Sequence, residues 1–215
     1  MSAAPVRAFD VRHVQLLRAL FAAVAAIMIT FSPDHSASVG LAVFSGWAMA
    51  TALVLLISAW LVYAAGSRAT TVTLGIVTLA AGMVAGIPAI RTTELFFIVV
   101  IVWALAAGAV ELISGVRRRR TDTAARDAIL IGAITIALAL GLLLVNPAYS
   151  LDYFIEEAGR SFELTGITIG VGIFGGYAAV VAVFLGIAGF SPRRPEDAAA
   201  DENPADTPET AGDPA

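Results

Sequence analysis

The sequence predicts an all-α polytopic membrane protein whose six transmembrane helices form three hairpin repeats. Three observations lead there. Hydrophobic residues make up 59% of the chain and charged ones 14%, with a mean hydropathy of +0.86, whereas a soluble domain of this size needs more polar surface. Apolar runs long enough to cross a hydrocarbon layer of about 30 Å recur six times. The short polar connections between them alternate in character, one set rich in arginine and the other opening on proline.

Residues 1–13 form a polar leading segment, and the spans follow at about 14–32, 37–66, 70–87, 95–116, 128–145 and 164–190. The first reaches spanning length only if Val14 to Leu17 join it and Arg18 snorkels its guanidinium to the surface. A cleaved signal peptide is the competing reading there, since a basic start, a short apolar stretch and "SPDHSASVG" would suit one. The second run carries no charge and exceeds what a bilayer requires, so it tilts or extends beyond the apolar layer. The fourth holds one carboxylate, Glu111, near its end, and the sixth is rich in glycine.

All 13 basic residues are arginines, and their placement sets the topology. Arg7, Arg12, Arg18, Arg68, Arg117 to Arg120, Arg126, Arg193 and Arg194 fall on one side, with only Arg91 and Arg160 on the other. Positive charge marks cytoplasmic loops, so both termini are expected in the cytoplasm of a bacterial inner-membrane protein. Arg117 to Arg120 then act as an anchor that also meets anionic lipid headgroups. A nucleic-acid partner is not expected, because the basic run lacks interleaved aromatics and a soluble domain to present it. The partners expected are the lipid bilayer and, as an open alternative, further copies of the chain.

Pro33, Pro88 and Pro147 each stop an apolar run where it emerges on the other side. An aromatic follows within each return span: Trp47, Trp103 and, after an insertion, Tyr177. This pattern suggests hairpins inserted the same way and related about the membrane normal. Prolines common to any loop between spans remain the alternative.

In "IVVIVWALAAGAVELISGVRRRR" a Trp, a Gly five residues on and a Glu three beyond precede a basic helix end. In "AILIGAITIALALGLLLVNPAYS" an apolar run with spaced glycines closes on Asn-Pro. With these stretches, over most of residues 10 to 192, the chain resembles the HdeD-like acid-resistance membrane proteins. That resemblance implies a six-span plasma-membrane protein linked to acid or envelope stress, without an established chemical activity. The insertion "LDYFIEEAGRSFE" and the terminal tail depart from the pattern.

Residue types limit the chemistry. The chain has no cysteine and no lysine, and its histidines, His13 and His35, are assigned to opposite sides. Thiol nucleophiles, thiolate zinc sites and lysine-dependent phosphate loops are excluded. No enzyme, metal or other cofactor is therefore expected. Glycines at Gly82, Gly86, Gly108, Gly115, Gly166, Gly170, Gly172 and Gly176 read instead as contact points between helices.

Glu111 is the candidate site, since an ionisable group inside an apolar run is costly and often marks a proton or ion path. Ala104, Ala107, Gly108, Ser114 and Gly115 share its helical face, which turns it toward the bundle. Its expected partner is Arg68 or, in its own cluster, Arg117. A transporter or channel is the second reading of the chain, and it requires polar lining at mid-depth, for which Thr51, Ser58, Thr78 and Thr135 are available.

On the proline side, Asp34, His35, Glu94, Asp152, Glu156, Glu157 and Glu163 are candidate acid-responsive groups. Leu151, Phe154, Ile155, Ala158 and Phe162 fall at helical spacing and predict a short helix lying flat there, capped by Ser150. Residues 191–215 read as a disordered acidic tail. Their seven carboxylates account for the net charge of -4, since the rest of the chain is positive.

Overall fold

The computed structural model describes residues 10–63, 68–119, 125–156 and 159–191. Arg120, Glu157 and the tail beyond Ser191 lie outside the described residues. Six helices follow one another: α1 (Val11–Phe31), α2 (Ala37–Leu61), α3 (Arg68–Ala85), α4 (Thr93–Arg118), α5 (Ala125–Leu143) and α6 (Gly166–Phe190). All six are long and apolar enough to cross a membrane. Exposed Leu20, Ile27, Phe31, Leu53, Val102 and Val183 give the bundle an apolar exterior, and the chain is a multi-pass membrane protein.

Local chemistry sets the helix starts. Asp10 accepts from the Val11 amide at 2.6 Å while His13 Nδ1 accepts from the Asp10 amide at 3.2 Å, closing a reciprocal cap on α1. Ser36, Thr92 and Thr165 cap α2, α4 and α6 through their side-chain oxygens. Counted from these caps, Trp47, Trp103 and Tyr177 stand 11, 11 and 12 residues into their helices. The longer spacing before Tyr177 therefore arises before α6 begins. At the end of α3, Arg91 Nε donates to the Ala85 carbonyl at 3.1 Å, so this exception to the arginine asymmetry serves as a helix C-cap.

Each helix packs against its neighbours in chain order, and α1 closes the ring against α6. The closest pairs are α2 with α3, α4 with α5 and α1 with α6. These are not the proline-turned pairs expected from the sequence, so the packing does not confirm three hairpin units. Small residues decide which helices approach. A Cβ on Gly132 would stand 2.6 Å from the Leu112 amide nitrogen, and one on Gly108 3.0 Å from the Gly132 carbonyl. Gly82 lies against Ala48 and Met49, Gly86 against Ser45, Gly115 against Ala125 and Ile129, and Gly170 against Phe96 and Phe97.

Three of the expected contact glycines differ. Gly166 meets the Asn146 carbonyl in the preceding loop, and Gly172 and Gly176 face open space. A spacing of four residues marks a stripe without saying which stripe meets a neighbour. On α6 that role falls to Gly175 against Ile29 and Gly189 against Leu16. Gly132→Ala should therefore lower the unfolding free energy by about 1–3 kcal/mol. Gly172→Ala should change it by no more than about 1 kcal/mol, in the stabilising direction. Thermal unfolding in detergent distinguishes the two.

The flat helix expected in the insertion is instead a hairpin, β1 (Ser150–Ile155) and β2 (Arg160–Thr165), antiparallel with Ser150 opposite Thr165 and Asp152 opposite Glu163. Gly159 turns the chain at φ +60°, a left-handed conformation that suits glycine. Leu151 and Tyr153 alternate with Asp152 as a strand requires, a period that overlaps helical spacing over so short a stretch. Ser150 does not cap a helix; its Oγ donates to Glu163 Oε1 at 2.8 Å.

Candidate functional site

The candidate site begins with Glu111 on α4, only 7% exposed and flanked by buried Ala104, Ala107, Gly108, Ser114 and Gly115. Its partner is Arg18, whose Nη2 donates to Glu111 Oε1 at 2.8 Å. This corrects both pairings expected from the sequence. Arg68 is engaged elsewhere, donating through Nε to the Tyr63 carbonyl at 2.8 Å and lying 5.3 Å from the Trp60 ring centroid. Arg117 is exposed at the end of α4, and its neighbour Arg118 donates to Ser114 Oγ at 2.7 Å.

Arg18 does not snorkel outward because it belongs to the inward stripe of α1, with Val14, Ala22, Ala25 and Ile29, all buried. That stripe was legible as steps of three and four residues. Charge alone assigns Arg18 to the surface.

Around the pair, a lining drawn from all six helices includes Leu55, Leu74, Ile131 and Leu185 beside Arg18 and Glu111, and we refer to these six as the layer of the site. Four of the six are aliphatic. The three helices with the largest buried share, α2, α4 and α6, carry Leu55, Glu111 and Leu185 eight residues after Trp47, Trp103 and Tyr177. Alanine immediately follows each of these aromatics, and Ala48, Ala104 and Ala178 are completely buried. The matching frame makes the ion pair a local replacement of aliphatic packing by charge.

On one side this layer floors a cavity of about 500 Å³ at the arginine-rich end, whose lining also includes Gln15, Tyr63, Thr70, Ser114, Arg118 and Asp127. Gln15 Nε2 donates to Asp127 Oδ2 at 3.3 Å. On the other side lies a small chamber of about 20 Å³, lined by Trp47, Thr51, Thr78, Trp103, Thr135 and Tyr177 beyond the ion pair. Three of the four polar residues noted for a conduit converge there. Ser58 does not, and its Oγ donates back to the Leu55 carbonyl at 2.8 Å.

Threonines of α3 and α5 serve aromatics of α4 and α6. Trp103 Nε1 donates to Thr78 Oγ1 at 3.2 Å. Thr135 Oγ1 donates to the Ile131 carbonyl at 2.8 Å and lies 3.0 Å from Tyr177 Oη, which leaves the tyrosine as donor of that second bond. The third aromatic lacks such service: Trp47 Nε1 and Thr51 Oγ1 are buried with no hydrogen-bond partner among the described residues. Residue 22, which precedes Trp47 by the 25 residues that separate Thr78 from Trp103, is an alanine.

The chamber is sealed toward the proline end. Phe44, Val100 and Phe174 are completely buried, with Phe44 and Phe174 edge-to-face at 5.4 Å. Beyond them Phe96 fills the space left by Gly40 and Gly170.

The proline-side candidates do not gather into one site. Asp34 accepts from the Ser36 amide at 2.8 Å and from its hydroxyl at 3.1 Å. His35 is half-buried nearby, Glu94 sits exposed in the first turn of α4, and Asp152, Glu156 and Glu163 are exposed around the hairpin. Among the described residues no group of three or more His, Asp or Glu is placed to hold a metal.

No family model matches this chain, and no curated protein or solved structure matches it.

Proposed function

We propose that the protein is a non-catalytic membrane protein that takes up protons at Glu111 from its arginine-rich face and passes them into the bundle. One observation carries the reading: a wide cavity ends on the Arg18–Glu111 pair, and the space beyond it narrows to about 20 Å³. That volume suits one water molecule and excludes a larger solute. The groups around it, a carboxylate, hydroxyls and indole N–H, suit proton exchange and hydrogen bonding. Passage to the far side requires Phe96 and the aromatics above the chamber to move, as in a path opened to one face at a time.

The arginine asymmetry supports placing the open cavity and both termini in the cytoplasm of a bacterial inner membrane. A role in acid or envelope stress, as the HdeD-like resemblance implies, is the second reading, favoured by Asp152 standing opposite Glu163. Like charges directly opposite across a strand pair repel.

Proteoliposomes enclosing a pH-sensitive dye test the first reading. The unmodified protein should dissipate an imposed pH gradient at least about tenfold faster than Glu111→Gln, as expected when a proton-accepting group is removed from a path. Equal rates for the two, at matched incorporation, would reject proton passage at Glu111.

A further inference from the structure

Arg18 and Glu111 are not equivalent partners. A carboxylate can accept a proton and become neutral, whereas a guanidinium in a protein stays charged. When Glu111 is protonated, the Arg18 charge therefore remains in a partly desolvated position where an unpaired charge is costly. The groups around the pair do not replace the lost anion: Tyr63 follows α2, Arg118 shares α4 with Glu111, Tyr177 comes from α6, and α3 offers only Thr70, Thr71 and Leu74. The other carboxylate in the lining, Asp127 on α5, accepts from Gln15.

The cavity reaching Arg18 can supply a counter-ion from outside. Its charged lining residues are Arg18, Arg118, Glu111 and Asp127, so neutralising Glu111 leaves one positive charge in excess. Its volume of about 500 Å³ lies in the range of small-molecule sites. Val11, Val14, Leu55, Leu74, Ile131 and Leu185 supply an apolar wall beside Arg18. Exposed Arg12, Arg117, Arg119 and Arg126 surround the same end of the bundle and would concentrate anions there.

We infer that this cavity is a binding site for a small organic carboxylate, which pairs with Arg18 when a proton neutralises Glu111. The inference rests on Glu111 taking up a proton and adds a partner that makes uptake more favourable. Carboxylate and proton then enter together, each strengthening the binding of the other by the same factor.

The full chain in phosphatidylcholine nanodiscs, titrated with cyclohexanecarboxylate by calorimetry, tests this. Two buffers of different ionisation enthalpy report proton uptake. Between about pH 6 and 8 the probe stays ionised, since carboxyl groups titrate near pH 4. Affinity should rise as pH falls, with proton uptake accompanying carboxylate binding. Glu111→Gln should bind at least as tightly as the unmodified protein at pH 6, without pH dependence or proton uptake. Arg18→Gln in the Glu111→Gln background, which leaves no charge unpaired, should bind at least about tenfold more weakly, as loss of a charge-assisted pair predicts.

Cyclohexanecarboxamide, the uncharged analogue, should not bind, and equal binding of the amide would overturn the assignment to Arg18. Absence of carboxylate binding to both the unmodified protein at pH 6 and Glu111→Gln would overturn the anion site, even where Glu111→Gln abolishes proton flux in liposomes. Carboxylate binding with proton uptake but no flux would instead retain this site and remove the proton path.

Discussion

Arg18→Leu alone should lower the unfolding free energy by about 3 kcal/mol, toward the low end for a broken buried pair, while Arg18→Leu with Glu111→Leu should recover most of that loss. The single change strands a carboxylate that is only 9% exposed at its side chain, and the adjoining cavity moderates the cost by admitting water. The double change places leucine at two positions of a layer whose other members are Leu55, Leu74, Ile131 and Leu185. It exchanges desolvated charge for the packing the layer already uses. Thermal unfolding of the two single variants, the double and the unmodified protein gives the coupling between the residues. A double variant no more stable than Arg18→Leu would mean that the layer cannot close around aliphatic side chains, and that the ion pair is needed for the fold.

Phe96→Ala carries the second large expectation: a loss of about 3–5 kcal/mol for a truncated buried aromatic, together with faster dissipation of a pH gradient in liposomes. Phe96 is completely buried. Cβ atoms built on Gly40 and Gly170 would stand 3.1 and 3.2 Å from its ring, so it fills the space those glycines leave between helices. Its removal shortens the seal above the chamber to Phe44, Val100 and Phe174. Lowered stability with no change in proton permeability would show that Phe96 is packing alone and that the barrier lies among those three residues.

The spans were visible in the sequence because length and hydropathy are summed over some twenty residues, and errors at individual positions cancel. The orientation of Glu111 was visible too, since its small neighbours recur at helical spacing and are buried as that spacing requires. Its partner was missed because an arginine near a helix start satisfies two rules at once. The charge asymmetry assigns it to the surface, whereas the stripe from Val14 to Ile29 turns it inward. Thr51, Thr78 and Thr135 could be recognised as mid-depth polar residues, but their convergence on one chamber depends on how three helices rotate against one another. The same rotational freedom separates Gly175, which faces Ile29, from Gly176, where an added Cβ would stand in open space. The hairpin was hidden because its apolar residues fit a helix as well as a strand, while Gly159 gave the turn signal.

The close packing of α1 on α6 bears on the order in which the protein can be assembled. Synthesis proceeds from the N-terminus, so α1 is made well before the helix that covers its Ile29 and Leu16 through Gly175 and Gly189. During that interval Arg18 is already present and Glu111 follows only with the fourth helix. A nascent chain halted before Gly166 would hold both charges but lack Leu185, Tyr177 and the last wall of their enclosure. Ring closure by α6 therefore makes the arrival of that helix a checkpoint for the site: a chain that stops before it can span the bilayer several times and still leave the ion pair without its finished surroundings.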